Sequence, residues 1–326
     1  MKRRTRRGVV LGALLMVGGL LMTVRAVDGV AGQGGQPTPS AADIKVDKLK
    51  DNLYVLRGGG GNTAAFITAS GVVLVDTKLV GWGQPIIEKL KELTDKPVTT
   101  VINTHTHFDH VGGNPEFPAT VEVVAHENTA ALMKEMRPVT GGPAQPDVFK
   151  GGTGPGLPKR TFKDRLTLGT GPERIELRYF GRAHTGGDAW IIFPALRAMH
   201  TGDAFGTKVV PIIDANNGGG GVEYPKTLAR AAALTNIDTL ISGHSATTLT
   251  MADLKTYGEF IGEFVQTVQA AKKAGKTIDD VVNTWKVSER FLKEGYVTPE
   301  AYEKLARQPM SARVRANAEV IWSETK

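Results

Sequence analysis

His105-Thr106-His107-Phe108-Asp109-His110 follows the apolar run Val98-Thr99-Thr100-Val101-Ile102-Asn103, and these two segments decide how the rest of the chain is read. Three of the seven histidines fall within the six residues from 105 to 110. The preceding run has the length and β-branched content of a strand. In extended backbone, side chains two apart project to the same side, so His105 and His107 can chelate one ion together. Asp109 and His110 are neighbours that point differently, which suits a second ion a few ångströms away. A His-x-His pair alone is common. Four donors at a strand end, followed by Val111-Gly112-Gly113-Asn114, are rarely accidental.

Outward from this stretch, apolar runs of strand length stand at Leu53–Leu56, Ala64–Thr68, Val72–Val75 and Val121–Ala125. Further runs follow at Leu166–Leu168, Ile175–Phe180, Ala189–Phe193, Ala198–His200 and Leu240–Ser242. Helical spacing marks Pro85–Leu93, Asn128–Met136, Tyr224–Leu234, Leu254–Ala274 and Pro299–Arg307. Strands with helices between them predict a layered α/β architecture. Residues 138–158 are rich in Gly and Pro without a period and read as a long surface loop; with residues 208–223 they are candidates for substrate contact. The glycine runs Gly58–Gly61 and Gly218–Gly221 lack a following Lys-Ser or Lys-Thr and so do not read as phosphate cradles. Trp82, Phe108, Phe149, Phe205 and Tyr224 read as core first and pocket lining second. Phe260, Phe264, Val268 and Ile321 predict that the C-terminal helices pack against the main domain.

The composition, 41% apolar and 22% charged over 326 residues, is that of an ordinary globular protein. The net charge of +7 is concentrated at the start: residues 1–31 hold Lys2, Arg3, Arg4, Arg6, Arg7 and Arg25 against Asp28, and without them it falls to +2. That distribution argues against a nucleic-acid partner. A basic cluster, an apolar run from Val9 to Val24 and small residues around Ala26 and Ala31 predict a cleaved signal peptide over 1–31. The run is shorter than the roughly 20 residues of a membrane span, so no stable anchor is expected. Arg6-Arg7 resembles a twin-arginine pair. The expected location is therefore periplasmic or secreted, with residues 32–45 as a linker. The chain has no cysteine, which removes thiolate from the candidate metal ligands.

His-x-His-x-Asp-His after a buried strand resembles the signature of the metallo-β-lactamase superfamily, and the other parts of that pattern follow in order. Arg182-Ala183-His184-Thr185-Gly186-Gly187-Asp188 is similar to the segment carrying a third histidine, and Thr201-Gly202-Asp203 to the one carrying a shared aspartate. Ser242-Gly243-His244 resembles the last histidine segment, and Val73-Leu74-Val75-Asp76-Thr77 the early strand whose aspartate braces the histidine loop. The resemblance implies an αββα sandwich over residues 46–250, with a C-terminal helical extension over 251–326. It further implies His105, His107 and His184 on a first metal, Asp109, His110 and His244 on a second, Asp203 shared and Asp76 behind them. Imidazole and carboxylate donors without thiolate suit two Zn2+ per chain, with iron or manganese as alternatives. His126 reads as a packed or capping residue, and His200 as packed or supporting the ligands from behind.

What the resemblance implies chemically is a hydrolase in which hydroxide held between two metals attacks a carbonyl, Asp109 aligning the nucleophile. Many dizinc lactamases place a cysteine on the second metal, which this chain lacks, and another lactamase subgroup lacks the shared aspartate present here as Asp203. The ligand set is closer to that of thioesterases and lactonases. The expected substrate is a small molecule with an ester, lactone, thioester or β-lactam bond. The alternatives are an iron-dependent oxidoreductase on the same fold and a metal-binding protein without turnover. Nothing in the sequence sets the oligomeric state.

Overall fold

The computed structural model describes residues 38–142, 144–298, 300–301 and 310–326. The predicted leader, the first part of the linker and most of the helical spacing at Pro299–Arg307 lie outside them. Two sheets stack face to face. The first runs in chain order through β1 (Lys45–Lys50), β2 (Leu53–Arg57), β3 (Thr63–Ile67), β4 (Val72–Val75), β5 (Val98–Ile102), β6 (Glu122–His126) and β7 (Arg160–Phe162). β1 to β4 pair antiparallel, and β4 to β7 pair parallel. The second sheet holds β8 (Arg165–Leu168), β9 (Ile175–Tyr179), β10 (Ala189–Phe193), β11 (Ala198–Gly202) and β12 (Thr239–Ser242), antiparallel except for the β11–β12 pair.

Alternation along the strands explains the stacking. Ala64 and Phe66 of β3 face Ile191 and Phe193 of β10 across the inner layer, together with Val73, Val75, Ile102, Val124, Leu177 and Ile241. The intervening residues face outward. Ala65, Leu74 and Val101 meet Ile86 and Leu90 of α1 (Gly83–Lys91). On the far side, Trp190, Ile192, Met199 and Leu240 meet α4 (Tyr224–Ala232) and α5 (Met251–Lys273), to which α6 (Ile278–Thr284), α7 (Glu289–Lys293) and α8 (Met310–Glu324) add. The order is helix, sheet, sheet, helix, as the resemblance implied, and Phe260, Phe264, Val268 and Ile321 pack as their spacing predicted. Phe149, Phe205 and Tyr224 are buried in core clusters.

Two strands escaped the sequence reading. Lys45–Lys50 carries four charged residues, Lys45, Asp47, Lys48 and Lys50, at a sheet edge, where exposed charge is what keeps an edge from pairing further. Arg160–Phe162 is three residues long, too short for a period to show. The helix predicted over Asn128–Met136 is α3 (Glu127–Met133) and ends earlier, with Met136 at φ 44°. Residues 144–158 form the predicted loop, fastened by buried Phe149 against Val111, Met133 and Met136.

The turn after β4 is built around a buried lysine. Asp76 and Lys78 both take positive φ, 63° and 67°. Lys78 is fully buried, and its Nζ donates to the carbonyls of Leu56 and Gly61 at 2.8 Å each. Burial pushes its pKa down to about 7, against the pull of Asp76 and Asp109. A neutral amine carries two N–H donors, which matches those two carbonyls.

Two measurements test these packing assignments. Phe66→Ala, opening a cavity beneath Phe193 at a ring separation of 5.2 Å, should cost about 3–5 kcal/mol in urea unfolding. Because unfolding returns Lys78 to its ordinary pKa of 10.5, the unfolded chain holds one more proton above pH 7. The stability of the wild type relative to Lys78→Met should therefore rise between pH 7 and 10, by up to about 1.4 kcal/mol per unit. A pH-independent difference would show that the amine is charged in the fold.

Candidate metal centre

The C-terminal ends of β4, β5, β9, β11 and β12 meet at one edge of the sandwich, and each delivers a polar side chain there. After β5 the chain bends through residues 104–106, and His107, in extended backbone, precedes α2 (Phe108–Val111). His105 and His107 project inward together, while Asp109 and His110 turn toward β4 and β12. His184 follows β9, Asp203 follows β11 and His244 follows β12. All seven predicted ligand positions converge. His105, His107 and His184 form one group, Asp109, His110 and His244 a second, and Asp203 joins His105 and His110 between them, with the donor atoms of each group within 4.8 Å of one another.

The outer hydrogen bonds decide which nitrogen of each ring faces inward. His110 Nδ1 donates to Asp76 Oδ2 at 2.7 Å, leaving Nε2 inward. His184 Nδ1 donates to the Ile212 carbonyl at 2.7 Å, again leaving Nε2. His107 is reversed: its Nε2 donates to Asp214 Oδ2 at 2.7 Å and Nδ1 faces His184 Nε2 at 3.0 Å. Thr104 Oγ1 donates to Asp76 Oδ2 at 2.7 Å and so accepts from His105 Nδ1 at 2.9 Å. That leaves His105 Nε2 buried without a hydrogen bond, as is Asp203 Oδ1, which lies 3.4 Å from His110 Nε2. Lone pairs facing one another at 3.0 Å repel, and buried acceptors without donors are costly, unless a cation lies among them. The residues present therefore fit one or two divalent cations.

Electrostatics divide the cluster. Burial, followed by the neighbouring imidazoles, pushes His105 well below its ordinary pKa, and burial beside His107 lowers His184 to about 4. Both are neutral, as ligation requires. On the other side burial opposes charge, but Asp109 and Asp203 outweigh it, raising His110 to about 9 and His244 well above its ordinary value. The two carboxylates are held well below their usual range by those imidazoles, again against burial. Asp203 lies 3.1 Å from His244 Nε2 and 3.4 Å from His110 Nε2, with His184 Nε2 at 3.8 Å. A Cβ at Gly243 would stand 1.8 Å from Asp203 Oδ1, so only glycine lets β12 approach this closely.

Asp76 braces the histidine loop as the resemblance implied: its Oδ1 accepts from the Thr104 N–H at 2.8 Å, and its Oδ2 serves Thr104 and His110. His126 caps α3 by accepting from the Asn128 N–H at 3.2 Å, and donates from Nε2 to the Lys163 carbonyl. His200 is fully buried, with Nε2 on the Asn62 carbonyl. Three supporting residues escaped the sequence reading. Asp214 is 107 positions from His107, so no local pattern could link them. Asn62 donates to the carbonyls of Ser242 and Ser245 on either side of His244. Gln145 Oε1 accepts from the Phe108 N–H at 2.9 Å, so the loop proposed for substrate contact also holds the start of α2.

The sequence profile of the Metallo-beta-lactamase superfamily matches residues 56–244, which include every ligand candidate. A type 2 metallo-beta-lactamase from Elizabethkingia meningoseptica is 27% identical over 177 residues, 49% of this chain and 60% of that protein. The alpha subunit of 2,4-dinitroanisole O-demethylase from Nocardioides sp. (strain JS1661) is 26% identical over 167 residues, 49% of this chain and 46% of its own. The chain thus spans about half the length of these curated relatives. Among solved structures, a metallo-beta-lactamase from Pontibacter korlensis superposes with a TM-score of 0.56 at 18% identity, over 67% of this chain and 99% of that one. The stereoselective inverting sec-alkylsulfatase Pisa1 from Pseudomonas sp. superposes with 0.64 at 15% identity, over 85% and 50%. The structural likenesses establish the fold; with the profile match across more than half of the sequence, they show that the chain belongs to the metallo-β-lactamase superfamily.

Proposed function

We propose that the protein is a divalent-metal-dependent hydrolase holding two ions, zinc by the chemistry of its donors. His105, His107 and His184 hold the first, Asp109, His110 and His244 the second, and Asp203 serves both. The observation that carries this reading is the inward aim of four imidazole nitrogens, each fixed by a hydrogen bond at the opposite ring nitrogen. Such a pair of ions, when bound, supplies a water deprotonated near neutral pH and an electrophile for a carbonyl oxygen.

The chain's own part is positional. His105, His107, His110 and His184 are buried, whereas the His244 side chain is 36% and Asp109 24% exposed. Substrate therefore approaches over Asp109 and His244. Asp109 Oδ2, 3.3 Å from His244 Nε2, accepts a hydrogen bond from the attacking water and orients it. An ester, lactone, thioester or β-lactam bond satisfies this geometry, and the named relatives add sulfate esters to the range worth assaying. We infer further that residues 1–31 are removed on export to the periplasm or medium, which the mass of the protein recovered from the host would test.

Elemental analysis of the purified protein should find close to two zinc ions per chain. Turnover of at least one of a panel of lactones, thioesters, β-lactams and sec-alkyl sulfates should be lost in Asp203→Ala, by more than the roughly 10–100-fold that removing an outer partner of a ligand costs. One iron per chain with oxygen uptake and no hydrolysis would overturn the reading in favour of an oxidoreductase. Stripping the metal with a chelator should abolish turnover, and zinc should restore it.

A further inference from the structure

The segment from Phe205 to Glu223 carries no metal ligand, yet the outer partners of two of the three histidines in the first group come from it. The Ile212 carbonyl accepts from His184 Nδ1, and Asp214 accepts from His107 Nε2. The backbone is closed onto the same histidine, since Asp214 N–H donates to the His184 carbonyl at 2.9 Å. The segment has no strand and only short helical turns, so something outside it must hold its shape.

Part of that support is Thr140, whose N–H and Oγ1 both donate to Asp214 Oδ1 at 2.9 Å, and the support around Ile212 comes from α8. Asn317 is 1% exposed and bonds the backbone on both sides of Ile212: its Nδ2 donates to the Pro211 carbonyl at 2.8 Å, and its Oδ1 accepts from the Ile213 N–H at 3.0 Å. One turn earlier, Arg313 Nη1 donates to the Val210 carbonyl at 3.3 Å. One turn later, Ile321 packs where a Cβ on Gly221 would stand 2.4 Å from it, and Glu324 Oε2 accepts from the Val222 N–H at 2.8 Å. Positions 313, 317, 321 and 324 share one helix face. That face runs along the whole segment, and α8 lies outside the residues 56–244 matched by the superfamily profile.

We propose that α8 belongs to the metal centre, with Asn317 as a positioning residue that sets the Ile212 carbonyl and Asp214 and, through them, the ring orientation of His184 and His107. The inference rests on the reading of those histidines as ligands. An amide suits the task because it offers one donor and one acceptor in a plane, matching one carbonyl and one N–H two residues apart. No apolar residue of similar size could hold both.

Zinc affinity by chelator competition and the absorption spectrum of the Co2+-loaded protein should be compared for wild type, Asn317→Leu and Arg315→Ala. Arg315 is an exposed residue of α8 whose partner is Asp279. Asn317→Leu should weaken one zinc site about tenfold, as removing an outer partner of a ligand does, and change the cobalt spectrum. Arg315→Ala should do neither. If Asn317→Leu does not fold, Asn317→Ser removes both bonds without adding bulk and carries the same comparison. A variant that melts earlier but keeps both zinc affinities and the cobalt spectrum would overturn the proposal and reduce Asn317 to a packing residue. Wild type that binds neither ion would instead overturn the ligand reading beneath it.

Discussion

Four imidazoles turned toward one another inside a protein repel, and most of the polar structure at this edge of the sandwich exists to hold them so. Each ring is tethered by its far nitrogen to Thr104, Asp214, Asp76 or Ile212. Asp76 and Thr104 follow two strand ends of the first sheet, and Ile212 and Asp214 come from one irregular segment after the second sheet's β11, so the arrangement needs both sheets in register before it exists. Asp76 illustrates the economy of the design: one carboxylate accepts from a backbone N–H, a hydroxyl and a ring nitrogen. Its positive φ is the local strain that aims it.

The two halves of the cluster solve the charge problem differently. Burial keeps His105 and His184 neutral, so no proton need be displaced from either ring for a cation to bind there. On the side of Asp109 and His244, carboxylates and imidazoles neutralise one another, and His244 and Asp109 keep some contact with solvent. A cation entering there exchanges with protons already held on the imidazoles. The more charged half is also the one open to solvent, at His244 and Asp109.

The donors were legible in the sequence because they sit in short motifs at strand ends, where alternation and turn residues show locally. His105 to His110, His184, Asp203 and His244 could each be picked out within a window of seven residues. The sandwich followed from runs such as Val72–Val75 and Ala189–Phe193. The supports were not legible. Asp214, Asn62, Gln145 and Asn317 act on residues between 37 and 183 positions away, and an isolated Asp, Asn or Gln in a loop or helix carries no period. β1 was hidden by its lysines, the very feature that makes it a tolerable edge.

The separation of these partners has a kinetic meaning. His110 meets His244 across 134 positions, and Asn62 meets Ser245 across 183. Chain closure over such distances gains nothing until the sheets between them have formed, so the pocket is among the last features of the fold to take shape. A cation then binds a finished scaffold instead of nucleating one. An ion bound to such a scaffold would add to folded-state stability by mass action, growing with the logarithm of free ion concentration once that exceeds the dissociation constant.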